Sequence, residues 1–131
     1  MGYLADTHLA LWLIAGSDRL PKAARTLMEA PGQNWYLSVI SVWEVMLNHQ
    51  AHPDQMLIDA GTFLDDCEAS GFRILPLRPE HMLEASRLPI EGVHKDPFDR
   101  ILLAQACSEG LTLVSHDRAF EAYGNDHVIV L

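Results

Sequence analysis

The sequence predicts an α/β domain: a central, mainly parallel sheet of four to five short strands with helices on both faces. Three observations carry that prediction. Short β-prone runs alternate with segments of helical periodicity from one end of the chain to the other. The chain has 131 residues and shows no repeat, no low-complexity tract and no linker, so residues 1–131 form one domain. The stretch from His94 to Asp117 reads as a helix start, an apolar helix, a glycine stop, a buried strand and a second helix start.

Tyr3-Leu-Ala5 is a first apolar strand, ending at Asp6. Thr7 to Ala15 follows as a helix with Leu9, Trp12 and Leu13 inward, closed by Gly16. Pro21 to Ala30 is a second helix with Pro21 in its first turn, broken by Pro31-Gly32. Trp35-Tyr-Leu-Ser38 is a second strand, and Ser41-Val-Trp-Glu44 has the spelling of a capping box at the head of a third helix. His49 to Pro53 reads as a loop, and Asp54 to Ser70 carries helical periodicity up to Gly71. Arg73 to Leu77 is a third strand, Glu80 to Arg87 a short helix, and Leu88 to His94 a loop containing Pro89 and Gly92. Asp96 suits an N-cap, Pro97 the first helical position, and Asp99 the first turn, at the positive end of the helix dipole. Ile101 to Cys107 is apolar on most sides, and Gly110 ends that helix. Leu111 to Val114 is a fourth strand, Arg118 to Tyr123 a last short helix, and Val128-Ile-Val130 a last strand.

Composition narrows the function. Hydrophobic residues make up 49% and charged residues 21%, ordinary for a globular protein. The formal net charge of −9 argues against binding nucleic acid through a basic face. Leu9 to Ala15 is too short to span a bilayer, and the absence of a basic stretch before it argues against a signal peptide. Met1-Gly2 lacks the hydroxyl residue a myristoylation site wants at position 6. Cys67 and Cys107 read as reduced core thiols, which suits the cytoplasm.

Asp6, Glu44, Asp99 and Asp117 each fall at a strand-to-helix turn or in the first turn of a helix. Singly, each reads as a cap or dipole partner contributing about 1 kcal/mol. Together, on one edge of a parallel sheet, they would repel one another unless protons or a cation offset the charge. Mg²⁺ or Mn²⁺ suits such a set of oxygen donors. Thr7, Ser41 and Ser115 are placed to hydrogen-bond the carboxylates, and Asp96 to support them. A carboxylate-held divalent ion serves phosphoryl chemistry by activating water and offsetting phosphate charge, so phosphodiester hydrolysis leads. The bound ion also answers the objection raised by the net charge.

Tyr3 to His8 with Leu11-Trp12, Ser41-Val-Trp-Glu44, Gly71 to Leu77, His94 to Ala106 and Leu113 to Gly124 together resemble the PIN domain, specifically the VapC toxin ribonucleases of type II toxin–antitoxin modules. The resemblance implies a Mg²⁺- or Mn²⁺-dependent endoribonuclease with Asp6, Glu44, Asp99 and Asp117 as its acids. It also implies a homodimer and a cognate antitoxin docking across the site. The chain departs from the family in having no Lys or Arg between Arg25 and Arg73, where relatives often carry basic residues.

Other residues read more plainly. His49 and His52 read as solvated loop residues, and His116 as part of a capping turn. Trp12, Trp35 and Trp43 read as core or interface. Arg100 and Arg118 follow the two late acids and read as ion-pair partners, with a phosphate clamp as the alternative. Two rival functions stand beside the nuclease. One is a binding module on the same fold with a degraded site, acting through a protein partner. The other is an aspartate-nucleophile phosphatase, disfavoured because Thr7-His8 follows Asp6 where a second aspartate is usual.

Overall fold

The computed structural model describes residues 2–89, 96–123 and 126–131. Strands β1 (Gly2–Ala5), β2 (Asn34–Ser38), β3 (Arg73–Leu75), β4 (Thr112–Ser115) and β5 (Val128–Val130) form one sheet in the order β3-β2-β1-β4-β5. Every neighbouring pair is parallel. Helices α1 (Thr7–Ala15), α2 (Lys22–Glu29), α3 (Val39–Ala51), α4 (Ala60–Ala69), α5 (Pro79–Ser86) and α6 (Pro97–Glu109), with a 3-10 helix at Arg118–Tyr123, occupy the connections. The expected alternation of strands and helices therefore holds, and the sheet is wholly parallel.

The two faces of the sheet follow from the two-residue period of a strand. Leu4 lies beside Tyr36 and Leu113 in register, while Ala5 lies beside Val114. Leu4, Leu113, Leu102, Leu103 and Phe120 build one core under α6 and the 3-10 helix. Ala5, Leu37, Val114, Leu9, Val45 and Phe63 build the other under α1, α3 and α4. Because both faces are covered, consecutive strand residues are apolar rather than alternating.

Helix ends account for most of the local agreement with the sequence. Gly16 and Gly110 close α1 and α6 at φ of 63° and 68°, a left-handed conformation that glycine adopts without cost. Asp96 caps α6 by accepting from the N–H groups of Phe98 and Asp99.

Several boundaries differ, each for a physical reason. The third helix starts at Val39, capped by the Ser38 hydroxyl, which accepts from the Ile40 N–H at 3.0 Å. Ser41 is thus no cap: β2 runs straight into α3, and Ser41 turns into the interior. The helix expected over Asp54 to Ser70 forms only from Ala60, with Asp59 accepting from Thr62 N–H at 2.8 Å. Of the apolar pair Met56-Leu57 that suggested a helix there, Met56 packs on the core from non-helical backbone and Leu57 is exposed. His49 lies in the last turn of α3 rather than a loop, and its Nδ1 donates to the Met56 carbonyl at 2.7 Å. The third strand stops at Leu75, before Pro76, which has no N–H to offer a ladder. The loop expected over Leu88 to His94 falls partly outside the described residues, as do His94 and Lys95 of the central stretch.

Candidate functional site

The chain leaves β1 for β2 and β3 on one side, then returns to place β4 and β5 on the other. The carboxyl ends of β1 and β4 therefore flank the topological switch point, where open parallel sheets bind ligands. One residue, Asp6, separates β1 from α1. The 13 residues of α6, rising about 1.5 Å each, carry its start back to the same edge, about 20 Å from where it enters β4. One side of the sheet thus collects the ends of β1, β2 and β4 and the starts of α1, α3 and α6.

Asp6 spans the switch point. Its backbone N–H donates to the Val114 carbonyl of β4 at 3.0 Å. Its Oδ1 accepts from the Thr7 N–H at 2.7 Å, and its Oδ2 from the Ser115 hydroxyl at 2.6 Å. The next residue reaches the other way. The Thr7 hydroxyl lies 2.7 Å from Glu44 Oε1 and 2.7 Å from the Ser41 hydroxyl. A hydroxyl has one proton, so if Thr7 donates to the Glu44 carboxylate, Ser41 must donate to Thr7. The result is a continuous array, Ser115–Asp6–Thr7–Glu44, with Ser41 behind it, linking β4, β1 and α3.

Burial pushes the Asp6 carboxyl above its ordinary pKa; Ser115, His8 and Thr7 act against the rise, and the charge of Asp117 adds to it. Burial also raises Glu44, with Asp6 and Asp96 adding to the rise while Thr7 and His8 oppose it. Asp6, Glu44, Asp96 and Asp117 therefore share one electrostatic neighbourhood. Asp99 is buried in the first turn of α6 beneath Asp96; burial raises the Tyr123 pKa, Arg100 opposes the rise, and the charges of Asp99 and Asp96 add to it. Asp117 is exposed; its Oδ1 accepts from the Ala119 N–H at 2.9 Å, the capping role read from the sequence.

Among the described residues, no three His, Cys, Asp or Glu side chains stand close enough together to hold a metal ion. The donors are nonetheless of the right kind. They are carboxylate oxygens whose ionised forms are disfavoured by burial and by one another, the condition a hard divalent cation relieves.

Arg100 corrects a further expectation, while Arg118 meets it as an ion-pair partner. Arg100 donates to the carbonyls of Pro89, Ala85 and Leu88, so it caps the end of α5 instead of holding a carboxylate or clamping phosphate. Arg118 pairs with Glu121 one turn on at 3.3 Å. His116 Nδ1 donates to the Leu131 carbonyl at 2.7 Å and so fastens the end of the chain to the loop after β4. Trp35 is buried, Trp12 half-buried, and Trp43 is 50% exposed against Phe98. Sequence reasoning passed over His8, which faces both Asp6 and Glu44 electrostatically and whose ring lies 5.9 Å from that of Trp12. The spacing of four between positions 8 and 12, one helical turn, was the available signal.

The PIN domain family model matches residues 3–126. Among solved structures, VapBC2 from Rickettsia felis bound to a DNA fragment from their promoter superposes with a TM-score of 0.72 at 18% identity, covering 100% of this chain and 98% of that one. DNA-bound VapBC from Salmonella typhimurium gives 0.72 at 18% identity, covering 99% and 98%. FitAcB from Neisseria gonorrhoeae gives 0.68 at 20% identity, covering 97% and 96%. No curated protein matches the chain. At these identities the superpositions speak for the fold, and the family match covers nearly the whole chain.

Proposed function

Since the chain belongs to the PIN-domain family, we propose that it is a metal-dependent endoribonuclease, the toxin of a toxin–antitoxin pair. The observation that carries this reading is the Ser115–Asp6–Thr7–Glu44 array at the switch point, in a chain matched along nearly its full length. In this reading Asp6, Glu44, Asp99 and Asp117 are the catalytic acids and bind Mg²⁺ or Mn²⁺. The bound ion would lower the pKa of a water and offset charge on the phosphate.

The chain's own residues set the stage for that chemistry. Ser115 and the Thr7 N–H fix the two oxygens of Asp6, leaving one lone pair on each for a further partner. Thr7 and Ser41 orient Glu44. Asp96 holds the first turn of α6, and with it the backbone of Asp99. A similar solved structure described as a toxin–antitoxin complex, from Klebsiella pneumoniae, supports a cognate antitoxin as partner, and a homodimer and a cytoplasmic setting belong to the same reading.

The test is RNA cleavage by the purified protein with Mg²⁺ or Mn²⁺ and with EDTA. Cleavage is expected only with metal, and Asp6→Asn or Asp99→Asn is expected to lower it at least a hundredfold while circular dichroism stays unchanged. Cleavage by a folded Asp99→Asn protein at the wild-type rate would remove Asp99 from the site. A chain that neither cleaves RNA nor binds Mn²⁺ by calorimetry would instead favour the binding module.

A further inference from the structure

Beside the acids lies a feature that the hydrolytic chemistry does not use. Three aromatic rings from two separate elements meet at the edge of the site. Trp12 of α1 lies 5.9 Å from His8 on its own helix, with the planes 50° apart. It also lies 5.9 Å from His116 in the loop after β4, in an edge-on contact of 69°. Both histidines are exposed, and Trp12 is half-buried with its inner side packed on the core. The group lies beside the acids, because His8 follows Asp6 by two residues and His116 sits between Ser115, which donates to Asp6 at 2.6 Å, and Asp117. It opens onto a largely apolar groove of about 840 Å³, lined by Leu11, Trp12, Ile14 and Met56 among others, with Arg19 and Asp66 as its charged members.

We infer that Trp12, flanked by His8 and His116, is a stacking shelf for an unpaired nucleobase next to the bond that is cut. This rests on the ribonuclease reading and adds to it a specificity-determining residue, Trp12. The geometry describes a shelf rather than a clamp. Stacked bases lie about 3.4 Å apart, so a base inserted between two rings needs about 6.8 Å between them. Tilted rings with centroids 5.9 Å apart leave no such slot, so a base lies on the outer surface of the group. Only an unpaired base presents a free face, which selects single strands over duplex.

The net charge points the same way. A chain of formal charge −9, with no Lys or Arg between Arg25 and Arg73, has few cations with which to hold phosphates. Stacking attracts a base through its π face and needs no net charge. Arg19, His8 and His52 add polar donors to the groove, with the acid Asp66 beside them.

The experiment compares wild type, Trp12→Phe, Trp12→Leu and His116→Ala, each checked by circular dichroism and by Mn²⁺ calorimetry. The probes are a ten-nucleotide single-stranded RNA, the same oligomer with one abasic position placed in turn along it, and the matching duplex. Trp12→Leu is expected to raise KM for the single strand about tenfold with kcat nearly unchanged, and Trp12→Phe to raise it less. The fluorescence lost on replacing Trp12 by Phe should be quenched in the wild type by the intact oligomer, and not when the abasic position falls at the shelf. An unchanged KM in both Trp12 variants, or equal quenching by every abasic oligomer, overturns the shelf while leaving the nuclease intact. If the wild type cleaves nothing, the nuclease reading fails and the fluorescence still decides the shelf: base-dependent quenching sustains it, and its absence ends it.

Discussion

Asp6 holds two hydrogen bonds and is still pushed above its ordinary pKa, because burial outweighs what Ser115, His8 and Thr7 give back. Glu44 is raised in the same direction for the same leading reason. The consequence for stability has a definite sign. A carboxyl whose folded pKa exceeds the unfolded one holds its proton more tightly when folded. Its stabilising contribution is complete below the unfolded values near 3.8 and 4.5, and is lost as pH rises through the folded values. Toward neutral pH the two raised carboxyls therefore lower the stability of the fold. Asp6→Asn is expected to raise the melting temperature at pH 7 by a few degrees, about 1 kcal/mol, and to give no gain at pH 3. Mn²⁺ should raise the wild-type melting temperature at pH 7 and have far less effect on Asp6→Asn. Thermal unfolding at both pH values, with and without the ion, measures this, and an Asn variant less stable than wild type at pH 7 would contradict it. The sequence marked Asp6 and Thr7 as partners in one turn. It gave no means of telling that the Thr7 hydroxyl turns away from Asp6 toward Glu44, 37 positions on.

The element that best separates a cap from a site is α6. Asp96 accepts from two backbone N–H groups of the first turn, at 2.9 and 3.2 Å. Asp96→Ala should cost about 1 kcal/mol in urea denaturation, while Asp96→Asn keeps the acceptor and should cost only a few tenths. If the Asp96 charge also serves the ion, Asp96→Asn will weaken Mn²⁺ binding in calorimetry at unchanged stability. If both measures stay at wild-type values, Asp96 is a cap alone. The start of α6 was readable because Asp-Pro at a helix head and Gly at its end act within a few residues of chain. The start of α3 was not. The capping-box spelling pointed to Ser41, and only the point at which β2 stops pairing puts the cap at Ser38.

At the scale of the molecule, one sheet separates two cores that share its strands. Leu37 is fully buried on one side and Leu103 on the other. Because neither core has a sheet of its own, the chain should unfold in a single transition. Leu37→Ala and Leu103→Ala are each expected to cost about 2–5 kcal/mol, with tryptophan fluorescence and circular dichroism giving the same midpoint in both variants. Separate midpoints would show two independently stable halves.

The sequence by itself determined what acts over short range: the alternation of strands and helices, the caps at Asp96 and Gly110, the acids at the turns, and the family. Tertiary structure alone decided the strand order, the hydrogen bonds across the switch point, the diversion of Arg100 to the end of α5, and the meeting of Trp12 with His116 from 104 positions away. The physical reason is the range of the forces involved. Propensity and capping are set by neighbours a turn apart, whereas a site at a sheet edge is set by which strands pair, and pairing is a choice the whole chain makes together.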